Sequence, residues 1–466
     1  MEKTSEKTGS RGGFGSKIGF VLAAAGSAVG LGNIWRFPYL AAKYGGGFFL
    51  LIYLVFAVTF GFTLMLTETA IGRKTGKSVI GAYKEVHPRF GWLGLMAAVI
   101  PALILPYYCV IGGWVLKYMC QFITGNGAAA AAEVTSSSGE TMSFFSSFIS
   151  KAGEPTVFFL IYVVINALVV TLGVEKGIEK VSKFLMPVLL ALIVVISVYT
   201  LTLDGAGEGL KYYILPSFED FTAEKLFKTI AAAVGQLFYS MSIAMGIMVT
   251  YGSYMRREDS LEGSVRQIEV FDTAVAFLAG LIIVPAVFVF SGGSAEALNK
   301  GPSLMFITLP KVFCSMPAGQ IIGAAFFILV ALAAMTSSIS LMETVTAVVI
   351  EKFRLSRKAS AAVVLVITIL LGLLSVFGYS IWSEVKIFGL QFLDLFDTIT
   401  NNFMMPILAF FTCLLAGYAV KTKFIEEEVL HGEKKFRSKG MYTVMIKYIC
   451  PVCMILILLT PFIWDI

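Results

Sequence analysis

The chain has 466 residues, of which 57% are hydrophobic and only 14% charged, against roughly a quarter charged in a soluble domain. That composition excludes an ordinary soluble enzyme and indicates a polytopic membrane protein. The net charge of +6 comes from basic residues dispersed among short loops between apolar runs, a distribution that fits lipid headgroups and membrane orientation rather than nucleic acid.

Met1 to Lys17 is polar and lacks the apolar core and small-residue cleavage site of a signal peptide, so the first span is expected to direct insertion. A helix needs roughly 20 apolar residues to cross hydrocarbon, and eleven segments meet that requirement. They are Ser16 to Tyr44, Gly47 to Gly72, Gly91 to Ile123, Pro155 to Gly173, Ser182 to Leu203, Phe227 to Met255, Val265 to Ser291, Gly319 to Glu351, Lys358 to Phe377, Phe388 to Val420 and Tyr442 to Phe462. Lys and Arg concentrate in the tail and in the loops Arg73 to Arg89, Glu175 to Lys183, Arg256 to Asp259, Lys352 to Lys358 and Lys421 to Lys439. The positive-inside rule then places the N-terminus in the cytoplasm. Among the opposite loops, Ala128 to Ala132 with Ser136 to Gly139 reads as flexible. Gly301 to Pro310 is too apolar for a solvated connection and is expected to form a re-entrant cover. Cys450 and Cys453 match a C-x-x-C pattern, but within an apolar helix they read as small hydrophobes.

Two spans are interrupted. Gly26-Ser27-Ala28-Val29-Gly30-Leu31-Gly32-Asn33 places three glycines and an asparagine inside the first, and Ser240 to Gly246 breaks the sixth in the same way. Lipid offers no hydrogen bonds to a loosened backbone, so such breaks survive only where protein groups or ligands satisfy them. Five spans separate the breaks, the sequence trace of an inverted five-helix repeat with a transport site near the midplane. The resulting division is a tail at 1–15, a first repeat at 16–203, an external loop at 204–226, a second repeat at 227–420, a cytoplasmic loop at 421–441 and an eleventh helix with a short external end at 442–466. Asp272 lies deep in the seventh span, where a charge costs roughly 2.5 to 3.5 kcal/mol on insertion scales. A bound cation would offset that cost; a protonated, hydrogen-bonded structural Asp is the alternative.

Gly30-Leu31-Gly32-Asn33-Ile34-Trp35-Arg36-Phe37-Pro38, Lys43 to Gly47, Glu68 with Gly72-Arg73, Tyr107-Tyr108, the 301–310 loop and Thr336-Ser337-Ser338 together resemble the neurotransmitter:sodium symporter family, in particular its bacterial transporters of leucine and hydrophobic amino acids. The resemblance covers nearly the whole chain. It implies an all-α membrane protein with broken helices one and six, working as a sodium-coupled symporter in the plasma membrane, with two sodium ions. Ala28, Asn33, Ser240 and Asp272 match the first sodium site. Gly26, Val29, Ala333, Thr336 and Ser337 match the second, although neighbouring hydroxyls in a membrane helix commonly just bond back to their own turn. Tyr53, Gln236 and Ser240 match the chloride pocket of relatives. The Asp272 carboxylate beside it, with Ala276 nearby, argues against a chloride requirement, since like charges repel.

The resemblance also places a substrate amino acid between the breaks. Leu31 and Gly32 N–H groups and the Tyr108 phenol match the carboxylate end, and Ser240, Ser242 and Ser337 the amino end. Ile104, Tyr239, Met245 and Leu341 match the side-chain end, an apolar lining with one pliable methionine. Arg36 and Asp397 match the outer gate, with Gln236 beside them; Arg11 and Glu351, braced by Ser253 and Tyr254, match the inner one. Glu68 is expected to bond the unwound backbone of span six or to carry a proton. The implied partners are a small amino acid and the lipid bilayer, with no nucleic acid and no protein. Proton coupling through Asp272 or Glu68, and an amino-acid receptor without transport, remain open. An enzyme does not fit, because His87 and His431 fall in expected cytoplasmic loops and no nucleophile, base and orienting group share one depth.

Overall fold

The computed structural model describes residues 12–135, 141–216, 218, 222–290 and 303–463, with side chains described as far as Thr460. The described residues are almost all helical. The exception is a small hairpin in which Glu133–Thr135 pairs antiparallel with Thr141–Ser143.

Among the described residues nine helices are long and apolar enough to span a membrane, and the bent pair Lys17–Ala28 and Gly32–Lys43, kinked by 53°, makes a tenth. The sequence expects eleven. The difference lies in the sixth candidate, which is split into Ala223–Ser240, carrying Glu224, Lys225 and Lys228 in its first turns, and the short Ile247–Gly252. Neither piece alone has the length and composition of a span. Elsewhere the expected limits hold closely. The third span is one helix from Gly91 to Ile123 despite Pro101 and Pro106, and the eighth runs Gly319–Phe353.

The apolar loop is a cover. Leu304–Ser315 is helical, with Leu304, Met305, Phe306, Leu309 and Phe313 buried. Phe306 stacks on Phe145 at 4.9 Å and lies edge-on to Trp35 at 6.3 Å, while its carbonyl accepts from Tyr118 Oη at 2.7 Å. The cover is thereby tied to spans one and three. The residues Gly301 and Pro302, like Ser136 to Gly139, fall outside the described residues.

Two features place the functional centre. The first span ends its leading helix at Ala28 and resumes at Gly32, and residues 241–246 of the sixth are non-helical. Within that second break Ser242, Ala244 and Gly246 have φ values of +53°, +58° and +70°. A side chain in this left-handed region costs about 1–2 kcal/mol, so the two positions where the break is not glycine are strained. Ala244→Gly is expected to stabilise the protein by about 1 kcal/mol. Gly246→Ala should destabilise it by more, because its Cβ would meet the Ala97 carbonyl at 2.6 Å. Thermal unfolding in detergent, with a midpoint rising for the first variant and falling for the second, checks the pair.

Candidate functional site

An unbroken helix bonds each N–H to the carbonyl four residues earlier. In span one the pattern stops after Val29, whose N–H reaches Ala25 O at 2.7 Å. Gly30 N–H turns instead to Asn33 Oδ1 at 3.1 Å, and Leu31 N–H to the Tyr108 phenol oxygen at 3.2 Å. The carbonyls of Gly26 and Ser27 thereby lose their helical donors. Buried carbonyls need partners: Ser27 O accepts from Ser242 Oγ at 2.9 Å and from Ser337 Oγ of span eight at 3.0 Å, and the same Ser337 oxygen lies 3.4 Å from Val29 O and 3.5 Å from Gly26 O. Thr336, packed beside Gly26, turns its hydroxyl back to Ala333 O at 3.0 Å and Leu332 O at 3.2 Å. Gly26, Val29, Ala333, Thr336 and Ser337 are thus brought to one place.

Asp272 is fully buried. Its carboxylate accepts from Ser240 Oγ at 2.8 Å on both oxygens, from Asn33 Nδ2 at 2.7 Å and from Tyr53 Oη at 3.5 Å. All these donors are neutral, and among the described residues Asp272 forms no salt bridge. Asn33 presents its amide nitrogen to this cluster rather than its oxygen, which is occupied by Gly30 N–H. Ala28, buried, closes the leading half-helix immediately before the break. Glu68 Oε1 accepts from Ala244 N–H at 2.8 Å, holding the second break open, and among the described residues its other oxygen is buried without a partner.

Between the breaks lies a cavity lined by Ser27, Gly30, Leu31, Gly32, Ile104, Tyr108, Tyr239, Ser242, Met245, Ile247, Ser337 and Leu341. Nine of the ten substrate-lining residues expected from the sequence are here; Ser240 is not, because its hydroxyl serves Asp272. Ser27, Gly30 and Ile247 are additions. The walls leave room for little more than a water molecule, so anything larger enters only if they part.

The two ends of this cavity differ. At one, the Arg36 guanidinium lies 5.3 Å from the centre of the Tyr239 ring, a cation–π contact over the cavity wall. Asp397 is held by Tyr107 Oη at 3.1 Å and Asn401 Nδ2 at 2.5 Å, and no salt bridge joins it to Arg36. Gln236 Nε2 donates to Gly32 O at 2.9 Å, tying the two broken spans together. At the other end Phe14 packs edge-on against Phe20, Tyr251 and Tyr254, and its N–H bonds Tyr254 O at 3.1 Å. Tyr254 Oη donates to Glu343 at 2.7 Å, Glu343 pairs with Arg357, Ser253 bonds Thr250 O, and Glu351 accepts from Ser78 N–H. Arg11 lies outside the described residues. Glu343 was missed from sequence, although an ionisable residue in a span is itself a signal of function.

Broken helices that gather carbonyls and hydroxyls around a small apolar cavity, with a buried carboxylate at the same breaks that forms no salt bridge among the described residues, have the architecture of a membrane transporter. The sodium:neurotransmitter symporter family model matches residues 11–143 and 130–464, and the chain belongs to that family. An uncharacterised sodium-dependent transporter of Bacillus subtilis, YhdH, is 35% identical over 454 residues, covering 95% of this chain and 96% of the relative. The sodium- and chloride-dependent GABA transporter 2 of Macaca fascicularis is 27% identical over 406 residues, 79% of this chain and 66% of the relative. The crystal structure of MhsT in complex with L-phenylalanine superposes with a TM-score of 0.84 at 36% identity, covering 97% of this chain and 99% of that one. The chain is a multi-pass membrane transporter, not an enzyme.

Proposed function

We propose that this transporter is a sodium-coupled symporter of hydrophobic L-amino acids that works by alternating access in the plasma membrane, with its N-terminus in the cytoplasm. The observation that carries the reading is the pairing of an apolar cavity with freed backbone groups at the same break. Leu31 N–H and the Tyr108 hydroxyl suit a carboxylate, Ser242 and Ser337 suit an ammonium group, and Ile104, Met245, Ile247 and Leu341 suit an apolar side chain. The sodium dependence named for YhdH and the L-phenylalanine bound to MhsT support it.

Two sodium ions travel with the substrate. The first sits by Asp272, with Ala28, Asn33 and Ser240, after the Asn33 amide turns over to offer its oxygen. The second sits among Gly26, Val29, Ala333, Thr336 and Ser337. Oxygen ligands about 2.4 Å from a cation and at right angles lie about 3.4 Å apart, close to the 3.4 and 3.5 Å that separate Ser337 Oγ from the Val29 and Gly26 carbonyls. Arg36 with Asp397 and Gln236 closes the outer side; Arg11, Glu351, Ser253 and Tyr254 close the inner one. The two five-helix repeats, 16–203 and 227–420, supply one broken helix each.

Chloride is dispensable in this reading, because the Asp272 carboxylate already stands within 3.5 Å of Tyr53 Oη. Replacing chloride by gluconate is expected to leave uptake unchanged within about twofold. Met245 limits substrate size, so Met245→Phe should weaken binding of tryptophan at least tenfold more than that of leucine, roughly the effect of one or two misplaced methylenes. Competition against labelled leucine measures both. The proposal as a whole is tested by equilibrium binding of L-leucine, L-phenylalanine, L-glutamate and L-lysine to the purified protein in sodium or potassium. Sodium-dependent binding confined to the first two supports it, and sodium-independent binding or a preference for the charged pair refutes it.

A further inference from the structure

The Ser27 carbonyl accepts two hydroxyl protons. Ser242 Oγ reaches it at 2.9 Å from the break in span six, and Ser337 Oγ at 3.0 Å from span eight. It is available because Leu31 N–H, its partner in an unbroken helix, is held by Tyr108. Ser27 is buried, with 2% of its surface exposed, so water does not compete.

A hydroxyl has one proton and two lone pairs, and where the proton goes decides what the oxygen can bind. Ser337 has three carbonyls in reach and sends its proton to the nearest, Ser27 O, which leaves its lone pairs to the side where Gly26 O and Val29 O converge. Ser242 lies 2.9 Å from Ser27 O and 3.2 Å from Ser27 Oγ. Its proton goes to the carbonyl, so the Ser27 hydroxyl donates to it in turn, closing a small ring that still leaves Ser242 one lone pair for the cavity. Each hydroxyl is thereby oriented as an acceptor of positive charge, one beside the second cation site and one in the cavity.

We propose that the Ser27 carbonyl is the shared acceptor that orients Ser337 toward a sodium ion and Ser242 toward the substrate ammonium, and so couples the two sites. Ser27 is a positioning residue: it acts through the two serines. The inference rests on the symporter reading above and adds the residue that links ion to substrate. If span one rewound, Leu31 N–H would reclaim Ser27 O and both hydroxyls would lose their orientation together. Release of the ion and release of the amino acid then belong to one backbone event.

The test alters the carbonyl itself. Introducing lactic acid in place of Ala28 by nonsense suppression turns the Ser27–Ala28 peptide bond into an ester, whose carbonyl is a weaker acceptor, and the same replacement at Ala25 serves as a control ester one turn away. In reconstituted full-length protein, the expected result for the first ester is a rise of at least threefold in both the sodium concentration for half-maximal L-phenylalanine binding and the L-phenylalanine Kd at saturating sodium, with the control changing both less than twofold. A change in only one of the two quantities, or in neither, overturns the proposal. Should the ester protein fail to assemble, Ser242→Ala, Ser337→Ala and the double variant decide. A shared acceptor makes their effects on L-phenylalanine Kd depart from simple multiplication by at least threefold, whereas multiplication within twofold overturns it. Absence of sodium-dependent L-phenylalanine binding in the unaltered protein would instead refute the symporter reading, a distinguishable outcome.

Discussion

Asp272→Asn is expected to raise the sodium concentration required for half-maximal amino-acid binding at least ~100-fold while leaving the protein folded. An ion pair about 4 Å apart at an effective dielectric of 20 is worth about 4 kcal/mol, and each 1.4 kcal/mol is about tenfold in affinity, so even partial compensation by neighbouring oxygens leaves a large loss. Asparagine keeps the shape and can still hydrogen-bond Ser240, Asn33 and Tyr53, the groups that now surround the carboxylate. The variant therefore separates charge from packing. Sodium titration of L-leucine binding, with thermal unfolding to confirm folding, reads the effect. Unaltered sodium dependence would mean that Asp272 is a neutral structural residue.

Tyr108→Phe is expected to weaken amino-acid binding by about 10- to 100-fold, because the bound carboxylate then lacks the phenol as a buried hydrogen-bond donor, a loss of about 1–3 kcal/mol. Without the phenol oxygen, Leu31 N–H has only Ser27 O to return to, which draws the break toward a continuous helix. The ring itself stays buried, so global stability should change little. Binding isotherms at saturating sodium check the loss, and an unchanged Kd would remove Tyr108 from the site.

Much of the architecture was legible because a bilayer imposes a strict length and polarity on its helices. The third span shows how far this goes: two prolines inside it did not prevent the expected limits, Gly91 to Ile123, from standing. The sixth, expected to be broken at Ser240 to Gly246, is broken at 241–246, and with charges in its first turns each of its two pieces falls short of a span. The breaks themselves were visible as glycine and hydroxyl residues within apolar runs. Side-chain direction was not visible, because it depends on contacts between distant segments. Arg36 lies over Tyr239 instead of reaching Asp397, and Asn33 turns its nitrogen to Asp272 because Gly30 N–H claims its oxygen. Ser240 belongs to the Asp272 cluster and not to the cavity wall for the same reason. Glu343 obeys the same rule as Asp272, an ionisable residue inside a span, and it pairs with Arg357 and Tyr254.

The central claim is that a sodium gradient drives net movement of a hydrophobic amino acid. Uptake of labelled L-leucine into proteoliposomes, with an inward gradient of sodium, potassium or protons as the sole driving force, tests it most directly. Accumulation above equilibrium with sodium alone, abolished by Asp272→Asn, is the predicted result. Accumulation driven by protons without sodium, or binding without accumulation under any gradient, would contradict it.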